Sequence, residues 1–180
     1  MLWFYFYHNY NYIINSKDSQ PEPAAGCWPG CPASQVTSTM EARLLGRRSD
    51  EWFATRWTPR SGEWADRLNS LPKYVVSSTF EDPSWTNATV LTGDLVTQVS
   101  KLKQELDGEI VVYASYQLGL ALIEHDLVDE LRLVIFPVVL GAGERLFGEP
   151  GDKNPMRLVD ATTIGNGLAV LTYEMLSGTE

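Results

Sequence analysis

The sequence predicts an α/β fold: a single three-layer α/β/α domain whose mainly parallel mixed sheet ends in a C-terminal antiparallel hairpin. Two observations support this fold class. Short apolar runs alternate with segments of helical periodicity through the middle of the chain, as in parallel sheets built from β-α-β units. The last two strand-like runs, 157–164 and 168–174, flank Gly165-Asn166-Gly167, which is typical of a hairpin turn.

The centre of the sheet is expected at Ile110–Tyr113, the most apolar of the strand-like segments. A run without polar alternation is typical of a strand that is buried on both faces. The segment Ala42–Leu45 is either the end of a strand or a junction between a helix and a strand. Further strands are predicted at 74–77, 89–92 and 131–136.

Helices are predicted between these strands. Ser49 is expected to cap a helix that reaches about Trp57. Asp94 is expected to cap a second helix, because the apolar residues at 95, 99, 102 and 106 fall on one face. A third helix is expected from about Tyr116 to His125.

The composition fits a soluble globular protein of one domain: 44% of the 180 residues are hydrophobic and 21% are charged. The formal net charge of −9 argues against nucleic acid or an anionic membrane as the main partner. The N-terminus lacks the basic start and cleavage site of a signal peptide, and its apolar run is too short to span a bilayer. A cytoplasmic location is therefore expected.

No metal site is expected. Cys27 and Cys31 have a CxxxC spacing, unlike the CxxC of zinc and redox motifs, and His8 and His125 lie far apart in sequence. The sequence does not decide whether the two cysteines form a disulfide.

Residues 1–41 are interpreted as a divergent, partly disordered N-terminal segment, and residues 42–176 as the folded domain. The aromatic run Trp3–Ile14 is either a strand or an unstructured tail. The stretch from Ser16 to Ser38 is rich in Ser, Pro and Gly and has no periodicity, which indicates a loop or disorder.

The candidate site lies where three predicted strands end. In open α/β sheets, ligands bind at the carboxyl ends of the strands. Gly46-Arg47-Arg48-Ser49 combines a glycine, which allows close backbone approach, with a helix start and two guanidinium groups that can hold phosphate oxygens. Small polar residues follow two other strands, at Ser77-Ser78-Thr79 and at Ala114-Ser115-Tyr116-Gln117.

Basic residues are concentrated near the first of these strand ends, which suits a small anionic ligand. The alternative for Arg56, Arg60 and Arg67 is a solvated helix face. The residues are Arg43, Arg47, Arg48, Arg56, Arg60 and Arg67.

These motifs resemble the dihydrofolate-reductase-like superfamily, in particular small bacterial proteins related to the C-terminal reductase domain of the riboflavin-biosynthesis deaminase-reductase. The resemblance covers roughly residues 41–176 and is most specific from Leu127 to Phe147. The matching stretches are Leu44–Ser49, Tyr74–Ser78, Val90–Asp94, Ile110–Leu118, Leu127–Leu133, Pro137–Phe147 and the final hairpin.

The resemblance implies a dihydrofolate-reductase-like fold that binds NADPH. It assigns the 2′-phosphate and pyrophosphate to the turn Gly46–Ser49, the adenosine to Ser77 and Ser78, and the pyrophosphate also to the turn after the central strand. The chemistry of two arginines agrees, because a second phosphate on the ribose favours bidentate guanidinium. The acidic pair Asp50-Glu51 opposes this slightly unless both carboxylates point outward. The implied residues of the last turn and helix start are Ala114, Ser115, Tyr116, Gln117 and Leu118.

The expected function is an NADPH-dependent reductase of a small heterocyclic or carbonyl substrate, acting by direct hydride transfer, with no catalytic residue assigned. Trp52, Phe53 and Trp57 either line the substrate side or pack in the core. The resemblance also implies a homodimer, with the strand 131–136 as one candidate interface.

The sequence also departs from its relatives in three places, one of which is Tyr116, where relatives often have a small residue. Residues 1–40 show no apolar strand followed by a Ser-Leu-Asp-Gly-type loop, and Ala114-Ser115 stands where relatives have Gly-Gly or Gly-Ser. The competing hypotheses are therefore a non-catalytic nucleotide-binding or dimeric relative that has lost its first strand and substrate loop, and a non-functional product of a shifted start.

Overall fold

The computed structural model describes residues 2–7 by their backbone, and residues 40–79, 82–139, 146–147, 154–165 and 167–176 in full. The predictions for 8–14 and for the loop 16–38 with Cys27 and Cys31 lie outside the described residues. The strands are β1 Leu2–Tyr7, β2 Met40–Gly46, β3 Lys73–Val76, β4 Ala88–Leu91, β5 Glu109–Tyr113, β6 Glu130–Ile135, β7 Met156–Ile164 and β8 Leu168–Met175. The helices are α1 Arg47–Trp57, α2 Glu63–Ser70, α3 Leu95–Glu105 and α4 Tyr116–Glu124.

The strands form one 8-stranded sheet in the order β4-β3-β2-β5-β1-β6-β8-β7. The first six strands pair in parallel, whereas β8 pairs antiparallel with both β6 and β7. The predicted mixed sheet with an antiparallel C-terminal hairpin is confirmed. The strand β5 lies inside the sheet and its residues 110–112 are buried, as its apolar run predicts.

The aromatic N-terminal run contributes a strand to this sheet. Leu2–Tyr7 lies between β5 and β6 and pairs in parallel with both. Of the two readings of the run, the strand is therefore the correct one for these residues, and the hypothesis of a lost first strand is not favoured. The division of the chain at residue 41 stays a prediction.

Helices cover both faces of the sheet. Leu44 packs with α3 and α4 in one core, whereas Leu45 packs with α1, α2 and Trp85 in another. Adjacent residues of β2 face opposite sides because the side-chain period of a strand is two. This alternation places the helices of the two cores on opposite faces and makes the domain three-layered.

One helix was not predicted from the sequence. Glu63–Ser70 forms α2 and buries Ala65 and Leu68. Its helical spacing is visible in the sequence, but the segment is short and lies between Gly62 and Pro72, where a loop is the simpler interpretation. Within the described ranges, no helix is both long and apolar enough to cross a membrane.

Candidate functional site

The chain passes from β2 into α1 without an intervening loop. Gly46 is both the last residue of β2 and the N-cap of α1, because the strand pairing extends to Gly46 opposite Val76. The prediction that Ser49 caps this helix is wrong: Ser49 is the third helical residue, and its hydroxyl donates to the carbonyl of Ala114 at 3.0 Å.

A chain of hydrogen bonds joins this turn to the turn after β5. The Gly46 N–H donates to Ser115 Oγ at 3.0 Å, and Ser115 Oγ donates to Ser49 Oγ at 2.9 Å. Ser49 in turn donates to the Ala114 carbonyl. Each hydroxyl accepts one bond and donates one, so the two serines hold the two turns together.

The starts of α1 and α4 are consequently brought together. Neither start has a side-chain cap among the described residues, whereas the start of α3 has one, since Asp94 accepts from the Thr97 N–H at 2.9 Å. Uncapped N–H groups at a helix start, with the positive end of the helix dipole, favour an anion. The two helix starts together are therefore a candidate anion site.

The side chains beside these helix starts are also suited to an anion. Arg47 and Arg48 are exposed, and Arg47 Nε lies 3.9 Å from Glu51 Oε1 in a solvent-exposed pair. Asp50, in contrast, is fully buried. The acidic pair therefore does not point outward as a whole: Glu51 is on the surface and Asp50 is directed into the protein.

The three predicted turns lie at the carboxyl ends of the parallel strands, on the same side of the sheet. Gly46 pairs with Val76, so Ser77 follows β3 at the level where Arg47 follows β2. Ser77 is half-buried and its Oγ accepts from the Thr79 N–H, while Ser78 is exposed. In α4, Tyr116 is half-buried, Gln117 is exposed, and Leu118 packs in the core, which leaves only its backbone for a ligand.

Ala114, in the turn after β5, has a strained backbone. Its φ of +56° lies in the left-handed region, which a residue with a Cβ adopts at a cost. We expect Ala114→Gly to raise the free energy of unfolding by roughly 0.5–1 kcal/mol, because relief of the strain exceeds the entropy that glycine adds to the unfolded chain. Chemical denaturation measures this change.

The matched control is Ala88→Gly in β4, where the backbone is extended. It is expected to lower the free energy of unfolding by about 0.5–1 kcal/mol. If Ala114→Gly lowers the free energy of unfolding as much as the control does, the backbone of Ala114 is not strained.

The aromatic residues predicted for the substrate side lie on α1. Phe53 is buried and stacks on Trp85 with 5.7 Å between ring centroids, while Trp52 and Trp57 are half-buried at the margin of the same core. Trp57 meets Trp64 of α2 edge to face. All three contribute to packing, and a role in substrate binding stays a prediction.

The predicted basic patch does not form as one surface. Arg43 is buried on the α1 face of the sheet, and Arg67 donates to the Met40 carbonyl at 2.8 Å. Arg56 and Arg60 stack on Trp52 and Trp57. Within this set, Arg47 and Arg48 are therefore the two that stand beside the helix starts.

A buried group of charged residues was not predicted from the sequence. Arg43, Asp50 and Lys73 are each at most 2% exposed. Burial lowers the pKa of Arg43 to about 10, with Tyr113 and Asp50 acting in the opposite direction. Burial also lowers the pKa of Lys73 to about 8, helped by the charge of Arg43. The available sequence signal was the arginine at position 43, which stands between the apolar residues Ala42 and Leu44 of β2.

Burial raises the pKa of the Asp50 carboxyl, and the nearby Ser84 backbone and the Lys73 charge oppose this rise only in part. The described residues contain no group of His, Cys, Asp and Glu side chains placed to hold a metal ion.

The chain is similar in sequence to a known protein family and to a protein of Bacillus subtilis. The model of the RibD C-terminal domain family matches residues 31–170. The chain is 32% identical over 152 residues to YyaP, an uncharacterized protein of Bacillus subtilis, covering 81% of this chain and 79% of YyaP.

Solved structures share the fold at low sequence identity. A putative riboflavin biosynthesis protein from Shewanella superposes with a TM-score of 0.68 at 19% identity, over 87% of this chain and 84% of that one. The dihydrofolate reductase of Enterococcus faecalis, solved with NADP(H), superposes with a TM-score of 0.61 at 14% identity, over 98% and 97% of the two chains. The chain belongs to the RibD C-terminal domain family and has its dihydrofolate-reductase-like fold.

Proposed function

We propose that this protein is an NADPH-dependent reductase of a small heterocyclic or carbonyl substrate. The observation that carries the proposal is the pair of uncapped helix starts, held together by Ser49 and Ser115 and flanked by Arg47 and Arg48. Family membership supports a reductase related to riboflavin biosynthesis, and the Enterococcus structure binds NADP(H) on the same fold. A cytoplasmic location is part of the proposal.

The residues present fit the phosphates of this cofactor. The helix starts offer N–H groups to a pyrophosphate, and the two guanidinium groups can pair with a 2′-phosphate. Ser77 and Ser78 are proposed to line the adenosine. When bound, NADPH would supply the hydride, and the protein's part would be to orient the partners and exclude water.

Energy transfer from tryptophan to the nicotinamide tests this proposal. Titration with NADPH should quench the protein's emission and produce nicotinamide emission at saturation. NADH should bind at least ~10-fold more weakly, since it lacks the phosphate that the arginines would hold. Absence of quenching at millimolar NADPH, or equal affinity for NADH, would refute the cofactor assignment.

We also propose that the protein forms a homodimer through its C-terminal hairpin. The edge strand β7 is exposed along both of its faces, and Leu158 and Val159 are 51% and 59% exposed. A long edge strand with apolar side chains is a template for another chain. The predicted interface on β6 is partly covered by β8, so β7 is the better candidate.

Leu158→Glu with Val159→Glu should convert the dimer to a monomer in sedimentation velocity, because two charges would be buried at the interface. The control is Thr89→Glu on β4, the opposite edge of the sheet, which should leave the sedimentation coefficient unchanged. A wild-type protein that sediments as a monomer would exclude this dimer.

A further inference from the structure

Ala114 has a backbone conformation that its own side chain does not stabilise. Among the described residues other than glycine, a positive φ occurs at Asn87, Ala114 and Asp126. Asn and Asp tolerate this region because their short polar side chains can hydrogen-bond locally, whereas alanine has no such group. The φ of +56° at Ala114 therefore depends on the structure that surrounds it.

Hydrogen bonds hold the peptide after Ala114 from both sides. Its carbonyl oxygen accepts from the Ser49 hydroxyl at 3.0 Å. The next side chain, Ser115, accepts from the Gly46 N–H at 3.0 Å and donates to Ser49 Oγ at 2.9 Å. Because Gly46 is paired in β2 and Ser49 lies in α1, these bonds tie the turn to regular secondary structure. The two hydroxyls form a clasp, the Ser49–Ser115 clasp.

Ser115 is also the N-cap of α4, yet among the described residues its hydroxyl does not cap this helix. An N-cap serine ordinarily accepts from an N–H group in the first turn of its own helix. Here the hydroxyl is instead engaged by Gly46 and Ser49. The first turn of α4 thus keeps its N–H groups without a side-chain cap, and their direction follows from the conformation of Ala114 and Ser115.

A change of φ at Ala114 would move the start of α4. Rotation to a negative φ turns the atoms that follow, including the first N–H groups of the helix, relative to β5 and α1. Two helix starts that serve one anion need a fixed separation and direction, because the effect of a helix dipole falls off within the first turn. The clasp therefore maintains the geometry on which the anion site depends.

We propose that Ser49 and Ser115 are positioning residues, which hold Ala114 in its left-handed conformation and so keep the start of α4 directed at the pyrophosphate of the cofactor. Neither hydroxyl has to contact the ligand for this role. The inference rests on the proposed function, because it concerns the pyrophosphate end of that same site. It implies that glycine at position 114, which adopts a positive φ without help, makes the clasp dispensable.

Calorimetric titrations with inorganic pyrophosphate and with NADPH test the proposal. Ser49→Ala removes the bond to the Ala114 carbonyl and should weaken both ligands ~10-fold, which corresponds to about one hydrogen bond. Ser115→Ala removes the other half of the clasp and should have the same effect. Alanine is a good helix former, so α1 should stay folded in Ser49→Ala. Ser49→Thr keeps the hydroxyl and should bind both ligands like the wild type.

The decisive variant combines Ser49→Ala with Ala114→Gly. It should recover both affinities to within ~3-fold of the wild type, because glycine pays no steric cost at positive φ. If Ser49 merely stabilised α1, glycine at position 114 would restore nothing. The cycle of the two single variants and the double variant thus separates a positioning role from a general structural one.

Two controls limit the effect to the turn. Thr55→Ala removes a hydroxyl from the same helix, one that donates to the Glu51 carbonyl at 2.9 Å, and should leave both affinities unchanged. Adenosine 2′-monophosphate carries the phosphate proposed for Arg47 and Arg48 but no pyrophosphate. Its affinity should therefore stay within ~2-fold of the wild-type value in Ser49→Ala.

Wild-type affinities in both Ser49→Ala and Ser115→Ala would overturn the proposal. A loss that Ala114→Gly does not restore would do the same, as would an equal loss for adenosine 2′-monophosphate. NADPH binding that is insensitive to the clasp would refute this inference alone. Pyrophosphate binding that follows the expected pattern, without NADPH binding, would refute the proposed function and leave the role of the clasp. A wild type that binds neither ligand would refute both.

Discussion

Reversing both charges at the start of α1, by Arg47→Glu with Arg48→Glu, is expected to weaken NADPH binding at least ~100-fold. Each charge-assisted hydrogen bond to a phosphate contributes about 1.5–3 kcal/mol, and the new carboxylates would repel the same phosphates. Both side chains are exposed, so the fold should be retained. Tryptophan-to-nicotinamide energy transfer measures the affinity, and circular dichroism checks the fold.

The comparison with NADH makes this prediction specific. If the arginines hold the 2′-phosphate, the charge reversal should remove most of the preference for NADPH and reduce the affinity for NADH less. The control is Arg60→Glu with Lys101→Glu, which changes the net charge by the same amount outside the proposed site. An equal loss of affinity in the control would show that the effect comes from the overall charge of the protein and not from the turn.

Removing the ammonium of Lys73, by Lys73→Met, is expected to lower the free energy of unfolding by roughly 2–4 kcal/mol. Its three bonds join the end of α2, at Asn69 and Leu71, to Thr86 just before β4. Methionine fills the space of the side-chain stem but cannot donate, so the three carbonyl oxygens would lose their partner in a buried place. The relief of charge burial offsets part of this loss, which is why the expected value is below the sum of three bonds.

Urea denaturation with a fixed m-value measures the change. Lys101→Met on α3 is the matched control, because Lys101 is exposed and makes only a surface pair with Glu105 at 3.6 Å. It should change the free energy of unfolding by less than about 0.5 kcal/mol. Equal values for the two variants would mean that the bonds of Lys73 only balance the cost of burying it.

The sequence allowed the local elements to be predicted because their causes are local. The apolar run of β5, the Asp94 cap of α3 and the Gly165-Asn166-Gly167 sequence each act within a few residues. The structure has β5, the capped helix α3 and the two paired strands β7 and β8. The meeting of the three turns at one edge also followed, since parallel strands end on the same side of a sheet.

The sequence by itself thus determined the fold class and the location of the candidate anion site at Gly46–Ser49. The tertiary structure decided where α1 begins, that Leu2–Tyr7 lies between β5 and β6, and that Asp50 and Arg43 are buried. Strand pairing joins residues that are distant in sequence, and the cost of burying a charge depends on neighbours that only the folded chain brings near. Adjacent carboxylates at 50 and 51 look equivalent in the sequence, and packing against the sheet separates them.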